Sequence, residues 1–185
     1  MIKRLRAEWT SEELQKLYEE PHNHWLYGRG HGLRVQFTQV IAKDMAREVN
    51  ATTVADLSCG NGEIAKVLDL IEFLGDYAPG YKYTGPLERT LEQIPKVSLY
   101  ICSETLEHLN DPASALGQIR EKAEGLVLTT PINAWHDDNE EHYWAWDREG
   151  VEGLLTEAGW TPNVFAVLDS TVFNETYTYG IWGCK

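Results

Sequence analysis

Acids and glycines lie along residues 53–76 at spacings suited to holding a nucleoside. An apolar run ends at Asp56, Gly60 and Gly62 follow in a turn, and the next residues have helical character. Strand, glycine turn and helix bring a backbone close to such a ligand, because glycine adopts positive φ angles and has no Cβ in the way. Asp76 follows Asp56 at about the offset of a carboxylate that accepts hydrogen bonds from ribose hydroxyls. The pattern predicts a nucleoside-binding site rather than an ordinary strand–helix turn.

A second group combines carboxylates and imidazoles. Glu104, Glu107 and His108 have spacings of three and four, which place them on one face of a helical segment, and His142 follows in a later loop. Two hypotheses fit this group. The four side chains could chelate Mg²⁺, Mn²⁺ or Zn²⁺. Alternatively, His108 could be a general base oriented by Glu107, with His142 or His136 as the alternative base.

The elements that must position these groups alternate along the chain. Helices are predicted over 11–20, 33–49, 63–70, 112–122 and 147–158, and strands over 53–57, 71–75, 81–84, 97–102, 125–130, 162–169 and 176–184. This alternation favours a parallel sheet with crossover helices, and the last two strands are predicted to form an antiparallel hairpin. Between Asp76 and Val97 there is room only for a short strand, a loop and a single helical turn over 87–94. Residues 131–146 are predicted to be a long loop.

Composition and charge limit the class of protein. The 185 residues, 43% hydrophobic and 24% charged, predict one soluble domain over 1–185, with an N-terminal helix and lid over 1–32 and a core over 33–185. No run approaches about 20 apolar residues, so no membrane partner is expected. Three cysteines without metal-binding spacing indicate reduced thiols and a cytoplasmic location. The net charge of −13 makes nucleic acid an unfavourable partner.

The predicted lid contains aromatic, histidine and glycine residues. Tyr27, His31 and Arg34 are suited to binding a carboxylate or to closing over a substrate. A surface loop that covers the open end of the sheet is the alternative interpretation. The tryptophans of residues 131–146 predict an aromatic-lined acceptor pocket.

The glycine turn resembles a known motif. Residues 56–62, Asp-Leu-Ser-Cys-Gly-Asn-Gly, are similar to acid-x-Gly-x-Gly-x-Gly, the first motif of class I S-adenosylmethionine-dependent methyltransferases, with Ser58 in place of the first glycine. Later segments that resemble the family, in family order, are 103–109, 125–133 and 151–160. A dinucleotide-binding domain, whose fingerprint would use Ala65 as its last position, does not account for these later segments.

The resemblance implies a Rossmann-like, mostly parallel seven-stranded sheet with flanking helices and an antiparallel C-terminal hairpin, trimmed after strand two. It implies S-adenosylmethionine as cofactor, with Mg²⁺ or Mn²⁺ added if the acidic and imidazole side chains hold a cation. With the spacing argument, it assigns cofactor binding to Asp56, Ser58, Gly60, Asn61, Gly62, Asp76, Tyr77, Leu87, Glu88, Ser103, Glu104, Tyr27, His31 and Arg34. The predicted catalytic residues are His108, Glu107 and His142, and the predicted metal ligands are Glu104, Glu107, His108 and His142.

The implied function is methyl transfer to a small-molecule acceptor at oxygen, with His108 as base. Two alternatives stay open. One is a metal-assisted 2′-O-methyltransferase acting on RNA 3′ ends, a branch whose motif matches Glu104, Glu107, His108, His142, Trp146 and Arg148. The other is a cofactor-binding pseudoenzyme subunit, because the region after Asp76 is short. A homodimer could complete an adenine pocket left open there.

Overall fold

A computed structural model of the chain describes residues 1–10, 12–14, 16 and 29–185. The first predicted helix begins after Thr10, whose hydroxyl accepts from the Glu13 backbone N–H at 3.3 Å while the Glu13 carboxylate accepts from the Thr10 N–H at 2.7 Å. This is the reciprocal arrangement of a capping box. The rest of that helix, most of the predicted lid and Tyr27 lie outside the described residues.

The described elements alternate as predicted. The strands are β1 Ile2–Arg4, β2 Thr53–Asp56, β3 Ile71–Asp76, β4 Tyr83–Thr84, β5 Val97–Ser103, β6 Ala123–Ile132, β7 Trp144–Trp146, β8 Pro162–Asp169 and β9 Thr178–Cys184. The helices are α1 Arg29–Glu48, α2 Glu63–Lys66, α3 Leu87–Gln93, α4 Pro112–Lys122 and α5 Arg148–Glu157, with 3₁₀ turns at Leu106–His108 and Ser170–Phe173.

Seven strands form the central sheet in the order β4-β3-β2-β5-β6-β9-β8. The first five strands in this order, β4, β3, β2, β5 and β6, pair in parallel. Strand β9 pairs antiparallel with both β6 and β8. The predicted mostly parallel sheet with an antiparallel C-terminal hairpin is therefore confirmed. No helix lies between β3 and β4, so the predicted trimming after the second strand of the sheet is also present.

The central strands are apolar on both faces because helices cover both. Along β5, Leu99 and Ile101 pack with residues of α1 and α2, whereas Tyr100 and Cys102 pack with residues of α3, α4 and α5. This alternation is the two-residue period of a strand, and burial on both faces is typical of central parallel strands. It fixes the register of the sheet, and with it the edge at which the parallel strands end.

Three local predictions differ from the structure. Helix α2 ends at Lys66 rather than at residue 70, and the positive φ of 54° at Asp69 excludes a helix that reaches residue 70. Helix α3 is longer than the single turn predicted, since Leu87, Thr90 and Leu91 form a buried i, i+3, i+4 face. The predicted loop 131–146 contains the end of β6 and all of β7.

The N-terminal segment forms a strand that pairs with part of this predicted loop. Strand β1 pairs antiparallel with β7, with Ile2 opposite Trp146 and Arg4 opposite Trp144. No sequence pattern predicts a strand of three residues whose partner lies so far along the chain. The pairing places the first ten residues beside the loop that carries His142.

All three cysteines are free. Among the described residues, no helix combines the length and the apolar character that crossing a membrane requires.

Candidate functional site

The parallel strands end at one edge of the sheet, and a cleft of about 1230 Å³ opens there. Ligands of open α/β sheets bind at this edge, outside the carboxyl ends of the strands. The predicted residues that line the cleft are His31, Arg34, Asp56, Ser58, Gly60, Asn61, Asp76, Tyr77, Leu87, Glu88, Ser103, Glu104, His108 and His142. Two predicted residues, Gly62 and Glu107, do not line it.

The glycine turn after β2 has the predicted backbone geometry. Gly60 and Gly62 have positive φ angles of 55° and 78°. The Gly62 N–H donates to the Cys59 carbonyl at 2.7 Å, and the Cys59 N–H donates to the carbonyl of Gly75 on β3 at 3.0 Å. These bonds close the turn and tie it to the neighbouring strand, so the Gly60 backbone faces the cleft.

Asp76, at the end of β3, joins two loops of the cleft. Its Oδ2 accepts from the Gly60 N–H at 2.8 Å, and its Oδ1 accepts from the Ala78 N–H at 2.9 Å. Burial raises the pKa of this carboxyl, although the backbone hydrogen bonds act in the opposite direction. Each oxygen keeps a lone pair for a further donor.

Asp56 lies deeper and supports the turn from below. It is 2% exposed, and its Oδ1 accepts from the Ser58 N–H at 3.2 Å. Burial raises the pKa of this carboxyl to about 8. The Ser58 hydroxyl in turn accepts from the Thr105 hydroxyl at 2.6 Å. Ser58, which replaces the first glycine of the motif, therefore connects the turn to the segment after β5.

Arg34 brings a positive charge from α1 to the end of β5. Its guanidinium donates to the Ser103 hydroxyl at 2.6 Å and lies 3.2 Å from His31 Nδ1. Burial and the charge of Arg34 lower the pKa of His31. Both side chains line the cleft beside Glu104, whose φ of 51° is unusual for a residue that is not glycine.

Glu104 is held toward β6 rather than toward the imidazoles. Its backbone N–H donates to the Thr129 carbonyl at 2.9 Å, and its Oε1 accepts from the Thr129 hydroxyl at 2.8 Å. Burial raises the pKa of its carboxyl. A left-handed backbone at a cleft-lining position is the kind of strain that surrounding structure must stabilise, and such strain concentrates at functional sites.

Three of the four predicted acidic and imidazole residues converge. Glu107, His108 and His142 each offer a ligand atom, and these atoms lie within 4.8 Å of one another; Glu104 does not join them. Glu107 is 1% exposed; its Oε2 accepts from the Thr130 hydroxyl at 3.0 Å, and its Oε1 has no hydrogen-bond partner among the described residues. Burial and the charge of Glu104 raise the pKa of the Glu107 carboxyl.

The two histidines differ in electrostatics. Burial, and then the adjacent His142, lower the pKa of His108 to about 3. Burial alone would also lower the pKa of His142, but the hydrogen bond to Asp137 and the charges of Glu107 and Asp137 outweigh it, so the pKa is raised. Glu107 is predicted from the sequence to orient His108, but the two side chains make no hydrogen bond, since Glu107 Oε1 and His108 Nε2 are 4.0 Å apart.

Asp137 is a site residue that the sequence analysis missed. Its Oδ2 lies 2.6 Å from His142 Nδ1, and its Oδ1 accepts from the Tyr177 hydroxyl at 2.9 Å. It stands in an acidic run, His-Asp-Asp-Asn-Glu-Glu, in which nothing in the sequence distinguishes one carboxylate from the next. Asp137 is distinguished from the other acids only by its contacts with His142 and Tyr177 in the folded chain.

The aromatic lining of the cleft also differs from the prediction. Trp146 is fully buried, and its indole N–H donates to the Pro131 carbonyl, while Trp144 donates to the Leu109 carbonyl; neither lines the cleft, nor does Trp135. The aromatic residues that do so among the described part of the chain are Trp9, Tyr77, Tyr143, Tyr177 and Tyr179.

No protein-family profile and no curated protein matches the chain in sequence. In structure it is similar to the 1,6-didemethyltoxoflavin-N1-methyltransferase of Burkholderia thailandensis, solved with that compound and S-adenosylhomocysteine, with a TM-score of 0.70, 12% identity, and coverage of 99% of this chain and 93% of that one. It is also similar to the magnesium protoporphyrin IX methyltransferase of Synechocystis, with a TM-score of 0.66, 12% identity and coverage of 94% and 92%. N-methyltransferase NodS of Bradyrhizobium japonicum matches with a TM-score of 0.66, 14% identity and coverage of 94% and 96%. The chain therefore has the fold of S-adenosylmethionine-dependent methyltransferases.

Proposed function

We propose that the chain is an S-adenosylmethionine-dependent methyltransferase that acts on a small molecule. The observation that carries this proposal is the position of Asp76, whose carboxylate accepts from the Gly60 N–H at 2.8 Å and lines a cleft of about 1230 Å³. Three structurally similar proteins are methyltransferases, and the names of two include small molecules, 1,6-didemethyltoxoflavin and magnesium protoporphyrin IX. The cleft has room for a cofactor and an acceptor of moderate size.

Three groups of cleft residues would contact three parts of the cofactor: the ribose, the adenine and the carboxylate. Asp76 would accept from the two ribose hydroxyls, through the lone pairs that its backbone bonds leave free. Leu87 and Glu88, at the start of α3, would lie along the adenine ring and its amino group. Arg34, with His31 beside it, supplies the positive charge that a carboxylate requires. When bound, the cofactor would supply a methyl group carried on a sulfonium, and the leaving group would be the neutral thioether.

Methyl transfer depends mainly on in-line positioning, and an oxygen acceptor also needs a group that takes its proton. The pKa values of the two histidines favour His142 over His108 as that base. A pKa of about 3 makes His108 a poor proton acceptor, whereas Asp137 raises the pKa of His142. Both imidazoles line the cleft, with ring centroids 4.7 Å apart. His108 then forms part of the acceptor surface beside the base.

A metal-assisted version of the same transfer is favoured by one observation. Glu107, His108 and His142 offer ligand atoms within 4.8 Å of one another, and the buried Glu107 Oε1 has no hydrogen-bond partner in the described part of the chain. One carboxylate and two imidazoles suit Mn²⁺ or Zn²⁺, so these three residues fit a cation and Glu104 is not needed for it. A cation there would polarise an acceptor oxygen. An RNA acceptor stays less favourable, because the net charge of −13 opposes a phosphate backbone.

The test is transfer of tritium from labelled S-adenosylmethionine to a small-molecule extract and, separately, to total RNA. We expect label in the small-molecule fraction, and loss of that label in Asp76→Ala but not in Glu72→Ala, an exposed acid on the same strand. Label in RNA alone would favour the metal-assisted RNA branch. Binding of S-adenosylhomocysteine without any transfer would indicate a pseudoenzyme and contradict the proposal.

A chelator separates the two mechanisms. If a cation takes part, chelation should abolish transfer, Mn²⁺ should restore it, and a calorimetric titration with Mn²⁺ should give heat that Glu107→Gln removes. If His142 acts as a base alone, the chelator should have no effect and Mn²⁺ should not bind at this position.

A further inference from the structure

We infer that Asp137 is a positioning residue of this site: it holds the His142 imidazole in one tautomer and one orientation, so that Nε2 is presented to the cleft as the proton acceptor. The inference rests on the proposed function and deepens it, because it concerns the base of the same reaction. Asp137 does not line the cleft itself, so it would act on the reaction through its contact with His142, which does.

The hydrogen bond between the two side chains is short and buried. Asp137 Oδ2 and His142 Nδ1 are 2.6 Å apart, and the two side chains are only 2% and 7% exposed. A carboxylate can only accept, so in the neutral imidazole the proton lies on Nδ1 and the Nε2 lone pair is free. A hydrogen bond to an ionised acceptor is stronger than a neutral one, and it fixes the ring orientation.

Asp137 is itself held from three sides. Its Oδ1 accepts from the Tyr177 hydroxyl and from the Asn139 N–H, both at 2.9 Å. The Arg6 guanidinium donates to the backbone carbonyls of Asp137 and Asn139. Because β1 anchors the segment that carries Arg6, the N-terminal residues support the loop that carries His142. A surface carboxylate that merely met a histidine would have no such set of donors.

The resulting step moves one proton. The acceptor oxygen forms a bond to the methyl carbon, the carbon–sulfur bond breaks with its electrons on sulfur, and the hydroxyl proton passes to His142 Nε2. The imidazolium formed lies against the Asp137 carboxylate, which stabilises its positive charge. In the part of the chain that the structure describes, His108 has no comparable partner: its Nε2 lies 4.0 Å from Glu107 Oε1, and its buried Nδ1 makes no hydrogen bond.

The first test needs no acceptor. In protein with ¹⁵N-labelled histidine, saturated with S-adenosylhomocysteine and held at a pH above the raised pKa of His142, we expect His142 to show a low-field Nδ1 proton and an unprotonated Nε2. Loss of the signal in His142→Gln assigns it. Asp137→Asn should move this proton upfield, because a neutral amide is a weaker acceptor. Asp138→Asn is the matched control, since Asp138 is exposed and adjacent in sequence, and it should leave the signal unchanged. A spectrum with Nε2 protonated, or unaltered by Asp137→Asn, would overturn the inference.

The second test is kinetic and uses tritium transfer to the labelled fraction of the extract. We expect Asp137→Asn to lower kcat by about 10²-fold while the Kd for S-adenosylhomocysteine changes by less than about twofold, and Asp137→Glu to restore part of kcat. Equal rates in Asp137→Asn and Asp138→Asn, or a parallel loss of kcat, affinity and melting temperature, would refute a positioning role. If the unmodified protein transfers no label, the proposed function fails, and the histidine spectrum still decides whether Asp137 orients His142.

Discussion

Replacing Asp76 with alanine tests how the nucleoside is held. Both carboxylate oxygens of Asp76 already accept a backbone N–H, at 2.8 and 2.9 Å, so each has one lone pair for a ribose hydroxyl. A hydrogen bond to a charged group contributes about 1.5–3 kcal/mol. Even if water replaces part of this contact, we expect the Kd for S-adenosylhomocysteine to rise about 10- to 150-fold, since 1.4 kcal/mol is tenfold.

Isothermal titration calorimetry with S-adenosylhomocysteine measures this change directly. Glu72→Ala is the matched control, because Glu72 is an exposed acid on the same strand, and its Kd should equal that of the unmodified protein. Asp76→Asn should also bind weakly, because its amide N–H₂ would face the N–H of Gly60 or Ala78. Asp76→Ala binding as tightly as Glu72→Ala would refute the assignment of the ribose contact, provided that both variants are folded by circular dichroism.

Further predictions concern stability in the absence of cofactor. Burial raises the pKa of Asp56 to about 8, so between the unfolded pKa of about 4 and pH 8 the folded state binds one proton more than the unfolded state. The free energy of unfolding should therefore fall as pH rises through that range, by on the order of 5 kcal/mol. Urea unfolding of Asp56→Asn between pH 5 and 8 should show a flatter profile; an unchanged slope would contradict this. Gly75→Ala should be strongly destabilising, because its Cβ would lie 2.4 Å from the Tyr83 carbonyl, whereas Gly153→Ala has open space and should stabilise α5 by about 0.5–1 kcal/mol. Melting temperatures that move alike in the two variants would refute the packing argument. Asp111→Ala should cost about 1 kcal/mol, since its side chain caps α4, and an unchanged unfolding free energy would show that this cap is not required.

The features that could be predicted from sequence are those that depend only on a short segment of the chain. The apolar run of β2 with Gly60 and Gly62 after it predicts a strand, a turn and the edge at which the cleft opens. Asp111 and Pro112 predict the start of α4 to the residue. In each case neighbouring residues alone determine the local backbone, so no knowledge of the rest of the chain is needed.

The features that escaped prediction depend on contacts between distant segments. The pairing of β1 with β7 joins the first residues of the chain to residues 144–146, and a three-residue strand has no periodicity of its own. Asp137 is one of several acids in its loop, and it becomes special only because His142 and Tyr177 meet it in the fold. The choice between two histidines as base likewise requires burial and partners, which spacing does not reveal.

Calorimetry of the unmodified protein with S-adenosylmethionine, S-adenosylhomocysteine, NAD and NADP measures which class of cofactor the cleft binds. We expect the first two to bind at one site per chain and neither dinucleotide to give heat. Folded protein that gives no heat with either sulfur compound, or that binds NAD at the Gly60 turn, would contradict this expectation.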